Sequence, residues 1–417
     1  MSIRSTYKSL VAIASIVLLG SLTSSCEEKI TDIGTGFLRD TLFTGTQTFD
    51  SNFTSSSRVK RSVSIGGAQF NLNYASPYLF FGSSADESIE AWPVLKIPFV
   101  HDSLGTIKKV DLVLSMPFRS VYGNATEKIE FSVYLETRKF ITEGTSTLTL
   151  ADLDPQPVAT FTGSVTSDST TKLILTLDSA RLIPLLHTTT LAIVIVPGAG
   201  MTNVRAFSSN ENGILLDKPR LELTLTKSGQ DTSYLRTEYP TYDFHVISDK
   251  STDQPGQFSI RGGYARRERM TFNIKEIRTR LSLDPYSTIN SALLQLHLAS
   301  SKLSTVPIDT AAPVLVEITT PLTEDSLEFL AVRGVKDPSS SDIYSFQFRE
   351  FIEQAIRNNQ DSLVLELRTG FALPVRVISG EGIGLEDYHL NRWTFYNRSA
   401  TDPLKRPKLA ITYSYLR

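Results

Sequence analysis

Three adjacent residues have the types that make up a hydrolase triad. They are His101, Asp102 and Ser103, in the run FVHDSLGT. A triad needs its members to converge in space, and this run lies between a strand pattern and a turn, so we interpret it as a turn. No G-x-S-x-G elbow, P-loop, dinucleotide fingerprint or H-E-x-x-H motif occurs in the chain. The sequence therefore predicts a protein that is not an enzyme.

Acidic residues are concentrated in a glycine-rich loop near the C-terminus, SGEGIGLEDYHLNRW. Carboxylate oxygens on a loop suit calcium, which prefers oxygen ligands. Glu381, Glu386 and Asp387 are therefore the candidate metal ligands. The spacing of an EF-hand is absent, and the alternative interpretation is a solvated loop without a metal. Apart from this calcium site, no cofactor is predicted.

A basic segment, RGGYARRERMTFNIKEIRTR, covers residues 261–280. Guanidinium forks bind carboxylate and sulfate groups, and a tyrosine ring can stack on a sugar, so the segment predicts a site for an acidic polysaccharide. Its candidate residues are Arg261, Tyr264, Arg266, Arg267 and Arg269. The alternative is a solvated strand face whose charges are balanced by nearby acids. The two tryptophans fit either a sugar platform or a hydrophobic core; they are Trp92 and Trp393.

The N-terminal stretch MSIRSTYKSLVAIASIVLLGSLTSSC combines a basic start with a short apolar run. The run is too short for a transmembrane helix and is typical of a signal peptide over residues 1–25. The small residues before Cys26 resemble the lipobox of bacterial lipoproteins, in which the cysteine thiol receives a diacylglycerol. The resemblance implies an exported protein anchored through Cys26 to the outer membrane or cell surface. The alternative is a plain secretory signal with an incidental cysteine.

The composition is that of an ordinary globular chain. The sequence has 417 residues, of which 41% are hydrophobic and 21% charged, which suits two or three domains. Its net charge of −2 argues against a nucleic-acid partner. With one cysteine, the chain can form neither an internal disulfide nor a cysteine-based zinc site.

One phrase of the sequence occurs twice. KPRLELTLT at 218–226 returns as RPKLAITYS at 406–414, so that Pro219 and Pro407 are 188 residues apart. Other patterns return in the same order: IKKVDLVLSM matches INSALLQLHL, and LAIVIV matches LVLEL. A short helical pattern precedes each of the last two, with Asp178 as the predicted N-cap in the first copy. Order, spacing and the shared proline indicate two copies of one domain.

The repeat divides the chain into five parts. They are a signal peptide (1–25), a lipidated tether (26–60) in which TLFTGTQTF can add a strand, a first domain (61–226), a linker (227–239) and a second domain (240–417). Short strand patterns separated by turn clusters predict an all-β fold. We expect two tandem antiparallel β-sandwich (jelly-roll-like) domains, each with a short helix. The repeated proline fits the start of a strand.

The segments VLKIPF, LGTIKKVDLVLSM and FYNRSATDPLKRPKLAITY resemble the DNRLRE domain and the carbohydrate-binding modules related to it. The resemblance covers both copies and implies β-sandwiches of secreted or surface bacterial proteins. The leading hypothesis is a non-catalytic surface lipoprotein that binds glycans or serves in adhesion, with the membrane as partner through its lipid. The second is a structural subunit of an envelope or secretion assembly that uses sheet edges to contact envelope proteins. The third is a hydrolase that acts on polysaccharides.

Overall fold

Alternating apolar and polar residues produce the strands of this protein, because successive side chains of a strand point to opposite faces of a sheet. The computed structural model describes residues 42–50, 53–59, 62–65, 68–71, 76–98, 105–116, 123, 128–136, 147–165, 170–185, 190–211, 214–227, 232–262, 266–281, 288–302, 314–319, 331–371 and 390–416. Within these residues the antiparallel sheets curl into half-barrels, so the predicted all-β, sandwich-like fold is confirmed.

The described elements fall into two halves and three flanking sets of two consecutive strands. In two of these sets the strands are not hydrogen-bonded to each other but to strands of the halves. The N-terminal pairs are β1 (Leu42–Asp50) with β2 (Phe53–Val59), and β3 (Ser62–Ile65) with β4 (Ala68–Asn71). The first half contains β5 (Tyr78–Ser84), β6 (Ile89–Pro98), β7 (Thr106–Met116), β8 (Ile129–Leu135), β9 (Ala159–Gly163), β10 (Thr171–Thr176), α1 (Ser179–Leu182), β11 (Thr190–Pro197), β12 (Val204–Ser208) and β13 (Arg220–Thr226). The third pair is β14 (Ser233–Glu238) with β15 (Tyr242–Asp249). The second half contains β16 (Gln257–Arg261), β17 (Arg266–Asn273), α2 (Ile274–Arg280), β18 (Thr288–Lys302), β19 (Val314–Thr319), β20 (Ala331–Arg333), β21 (Val335–Asp337), β22 (Ser340–Gln347), α3 (Arg349–Arg357), β23 (Ser362–Phe371), β24 (Arg392–Tyr396) and β25 (Lys408–Leu416).

The first half is a sandwich around a core that we call the first core. A small sheet in the order β10-β7-β13-β14 faces a larger sheet in the order β12-β5-β6-β11-β8-β9, in which β15 also pairs with β6. Leu112 and Leu223 from the small sheet are buried against Leu95, Ile193 and Phe131 from the larger one. Burying one such side chain stabilises the fold by about 1.5–3 kcal/mol, so these strands determine the stability of the half.

The second half has the same layers around the second core, but its two layers form one continuous sheet. β18 is long enough to pair with β25 and β22 through one part and with β24 through the other. Leu294 and Ile411 from one layer are buried against Phe272 and Leu365 from the other, and Phe351 of α3 covers this second core.

Several local predictions are confirmed. The Asp178 carboxylate accepts a hydrogen bond from the backbone N–H of Ala180 at 3.1 Å and so caps α1. The repeated prolines, Pro219 and Pro407, directly precede β13 and β25. Each proline lies just before the first residue that takes part in the strand's hydrogen-bond ladder, so its missing N–H costs no hydrogen bond.

Strand pairing crosses the predicted domain boundaries. β14 lies in the predicted linker but pairs with β13, and β15 lies in the predicted second domain but pairs with β6 of the first half. β1 and β2 lie in the predicted tether but pair with β25 and β17 of the second half. The strand predicted in TLFTGTQTF is therefore confirmed, and strands of the predicted linker and tether pair with the sheets of the two halves. Polar alternating segments read as loops, yet they can complete a sheet edge through backbone hydrogen bonds alone.

Candidate functional site at the junction of the two halves

The arginines predicted to bind a polysaccharide lie on the hairpin of β16 and β17. Arg261 ends β16 and pairs in register with Arg266 at the start of β17. Arg261, Arg266 and Arg267 are only 1%, 8% and 1% exposed, whereas Arg269 is partly exposed. The prediction of an exposed basic patch is therefore wrong for the three buried arginines. The net charge of residues 261–280 does not reveal the acidic residues from other parts of the chain that the fold places beside these arginines.

The acid that receives most of this charge is Glu87, in the turn between β5 and β6 of the first half. One of its oxygens lies 2.8 Å from Nη2 of Arg261 and 3.2 Å from Nη1 of Arg392, and the other lies 2.9 Å from Nζ of Lys302. Burial acts to raise the pKa of Glu87, but the hydrogen bond from Lys302 and the charges of Arg261 and Arg392 outweigh it and lower the pKa. Glu87 is thus held as a carboxylate by three cations from the second half.

Two more acids complete a group that we call the junction cluster. Nη2 of Arg266 lies 2.7 Å from the Asp253 carboxylate, and Nη1 of the same side chain donates to the Ser251 hydroxyl at 2.6 Å. An oxygen of Asp249 lies 3.7 Å from both Arg261 and Arg266. The members of the junction cluster are Glu87, Asp249, Asp253, Arg261, Arg266, Lys302 and Arg392. Its four cations and three anions leave a net charge of only +1.

Arg267 has a separate partner on the neighbouring strand. Its Nη1 lies 2.7 Å from the Glu366 carboxylate of β23, and both side chains are buried within the second half. Breaking such a buried pair leaves an uncompensated charge, which costs about 3–5 kcal/mol, so this arginine is part of the sandwich itself.

Apolar residues surround the junction cluster. Leu390 of the second half packs with Phe80, Ala91 and Ile247, all of which belong to strands of the first half's larger sheet. The two halves therefore meet through a buried apolar contact with ion pairs beside it. The Arg261–Glu87 pair is buried from solvent, which strengthens its interaction, whereas Lys302 and Arg392 reach Glu87 from partly exposed positions.

Two titratable residues of β15 escaped the sequence interpretation. Asp243 is 2% exposed, and its Oδ2 accepts a hydrogen bond from the backbone N–H of Asn210 at 2.6 Å. Burial raises the pKa of Asp243 to about 7, to which the charge of Glu211 adds, while the Asn210 hydrogen bond and the charge of Lys218 act the other way. A buried aspartate that titrates near neutral pH is a candidate for a functional role.

His245 is two residues further along the same strand and is completely buried. Its ring meets the ring of Phe80 edge-on, with centroids 5.0 Å apart. A signal for both residues exists in the sequence YDFHVISD, since residues two apart on a strand share a face. Phe244 and Val246 belong to a separate apolar cluster with Val94, so the other face of this strand is buried as well.

This arrangement supports cohesion between the halves. The junction cluster joins carboxylates of one half to cations of the other, and Asp243 lies on the strand that also carries Asp249 of this cluster. Trp393 is buried in the second core, and the indole N–H of Trp92 donates to Glu90 at 2.9 Å. Both tryptophans thus have places within the fold.

The remaining predicted site residues lie outside the described residues. They are Cys26, His101, Asp102, Ser103, Tyr264, Glu381, Glu386 and Asp387. Lipidation and calcium binding therefore stay predictions. Among the residues that the structure describes, no helix is long and apolar enough to cross a bilayer.

Comparison with known proteins adds no family to these observations. No protein-family model matches the chain, and no curated protein matches it at a significant level. The resemblance to DNRLRE-like domains stays a prediction that rests on the quoted segments.

Proposed function

We propose that this protein is a non-catalytic, lipid-anchored structural subunit of a bacterial envelope assembly and that it works through protein contacts. Anchoring through Cys26 is the part of this proposal that comes from the signal sequence. The glycan-binding alternative loses its main support, because Arg261, Arg266 and Arg267 are engaged in buried ion pairs.

One observation carries the proposal: each half exposes apolar side chains to solvent on the equivalent loop, the one before its last strand. Ile214, Leu215 and Leu216 are 60%, 58% and 65% exposed in the turn that precedes β13. Leu404, in the corresponding turn before β25, is 71% exposed and lies 188 residues after Leu216. Single exposed leucines are ordinary, but a run of three, with a counterpart at the repeat distance, is typical of a contact surface.

The connection between the halves supports the same proposal. Buried ion pairs and exchanged strands join the two sandwiches, so the two loops are held on one framework. A framework with two related contact loops suits a subunit that links neighbours in an assembly.

A photo-crosslinking amino acid at position 216 of the anchored protein tests the proposal on intact cells. We expect a discrete protein adduct that is absent when the same group is placed at Val335, which is exposed to a similar degree (64%) in the second half. Equal adducts at both positions, or none at 216, would refute the contact surface. Binding of the soluble protein to acidic glycans would favour the adhesive alternative instead.

The anchor has its own test. Cys26→Ser should move the protein from the membrane fraction to the soluble fraction after detergent-free washing. A variant that stays with the membrane would show that the lipid is not what holds the protein there.

A further inference from the structure

Every strand pairing of the first half has a counterpart in the second, which adds only the β18–β24 and β21–β22 pairings. β10-β7-β13 of the first half matches β22-β18-β25 of the second, and β12-β5-β6-β11-β8-β9 matches β24-β16-β17-β23-β19-β20. The helix between β10 and β11 matches the helix between β22 and β23. Both halves therefore derive from one structural unit with the same order of elements along the chain.

Each half is completed by two strands from outside it. β14 pairs with β13 in the first half, and β1 pairs with β25 at the equivalent place in the second. β15 pairs with β6, and β2 pairs with the equivalent strand, β17. We call β1 with β2 the first donor pair (42–59) and β14 with β15 the second donor pair (233–249).

The donor pairs are crossed. The first donor pair precedes the first half in the chain but completes the second half, and the second donor pair precedes the second half but completes the first. Read along the chain, each repeat is a donor pair followed by its own sandwich. The two repeats have therefore exchanged their leading strands, as in a domain-swapped dimer whose subunits are fused.

We propose that this exchange also operates between molecules: the first donor pair of one copy completes the second half of another copy of the same chain. The proposal rests on the proposed assembly function and names a second copy as one of its partners. The contacts are identical within and between chains, so effective concentration decides which form is populated. An assembly that concentrates anchored copies in one membrane favours the form between chains.

The first donor pair has the features of a transferable strand. β1 pairs with β25 over nine residues, from Leu42↔Leu416 to Asp50↔Lys408, so a continuous backbone ladder joins it to the second half. Phe49 inserts into the second core, and the Arg280 guanidinium lies over its ring at 4.6 Å from the centroid. Thr46 and Thr48 point to solvent.

The second donor pair is held more firmly. Phe244, Val246 and Ile247 of β15 are all buried in apolar clusters of the first half. Among the first donor pair's side chains whose burial is described, Phe49 alone is buried. The described burial thus places three apolar side chains of the second pair in the first half, and the first pair also lies nearer the chain's N-terminus, so exchange between copies should involve the first pair.

Cysteine pairs across β1 and β25 test the proposal. Thr46 and Thr412 are directly opposite, with hydroxyl oxygens 3.2 Å apart, and Cys26→Ser removes the chain's own thiol. Thr46→Cys and Thr412→Cys are made as separate full-length proteins in this background, mixed in mild urea, returned to buffer and oxidised. A disulfide between them can form in register only when the donor pair of one molecule lies on the other.

The expected result is a disulfide-linked dimer several-fold more abundant than in a mixture of Thr48→Cys with Thr412→Cys, because Thr48 is opposite Ala410 instead. In the double variant Thr46→Cys/Thr412→Cys, oxidation in dilute solution locks β1 onto β25 of the same molecule. After this treatment and the same urea step, the protein should form no dimer that size-exclusion chromatography detects. Equal dimer in the matched and mismatched mixtures, or none in either, would overturn the proposal. Neither outcome affects the crosslinking at Leu216, so failure of strand exchange is distinguishable from failure of the proposed function.

Discussion

Replacing Asp243 with asparagine should remove much of the pH dependence of this protein's stability. The carboxyl is buried on β15 and accepts the backbone N–H of Asn210 at 2.6 Å. The charged groups that act on it from the adjoining loop are Glu211 and Lys218, and His245 follows it on the same strand face. An asparagine side chain can still accept the Asn210 hydrogen bond and carries no charge at any pH.

The raised pKa of Asp243 determines the sign and size of the change in the free energy of unfolding with pH. The pKa is about 7 in the folded protein against an ordinary value of 3.8, so the folded state binds more protons between these two pH values. The free energy of unfolding therefore falls as pH rises through this window and levels off above it. A difference of about 3 pH units at about 1.4 kcal/mol each sets an upper limit of about 4 kcal/mol.

Urea unfolding at several pH values between 4 and 8.5 measures this directly. Asp243→Asn should be close to wild type at pH 4 and more stable than wild type above pH 7. Asp86→Asn is the matched control, because it makes the same chemical change at an exposed carboxylate in the turn between β5 and β6, and it should leave the pH dependence of stability close to that of wild type. Parallel profiles for wild type and Asp243→Asn would refute the reasoning.

Three further substitutions or truncations test the architecture. Glu87→Gln leaves the buried Arg261 without its carboxylate and should cost about 3–5 kcal/mol by urea unfolding, against about 0.5 kcal/mol or less for Glu276→Gln, whose side chain is 40% exposed; equal losses would contradict the junction cluster. Phe49→Ala should cost about 3–5 kcal/mol, and a loss below about 1 kcal/mol would show that the first donor pair is not anchored in the second core. A chain that begins at residue 60 should unfold at lower urea and recover when a peptide of residues 42–59 is added, whereas an unaltered midpoint would show that the donor pair is dispensable.

Local features of the fold could be predicted from the sequence because their causes are local. Alternation identified β7, β13, β18 and β25, and a single carboxylate at Asp178 identified the start of α1. The repeat distance between Pro219 and Pro407 identified the two halves, since a strand that begins after a proline leaves a recognisable phrase.

The pairing of elements could not be predicted in this way, because it depends on partners far away in the chain. The Arg261–Glu87 contact joins residues 174 positions apart, so a count of charge along residues 261–280 registers the arginines and not their acids. The sequences of the donor pairs alternate like those of other strands, and alternation alone gives no sign of which sheet edge a strand completes. The burial of Asp243 likewise depends on strands that are distant in the chain, since β15 pairs with β6.

The junction cluster explains why two related halves pair with each other and not each with its own kind. The hairpin of β5 and β6 is equivalent to the hairpin of β16 and β17, and the two hairpins meet at the junction, where Glu87 of the first pairs with Arg261 at the end of β16. Two identical hairpins would bring like charges together, since a symmetric contact places each residue opposite its own copy. An acid on one hairpin and arginines on the other favour the unlike pair and penalise both like pairs. Strand exchange between copies would therefore keep every first half against a second half, which limits the assembly to repetitions of the contact already present within one chain.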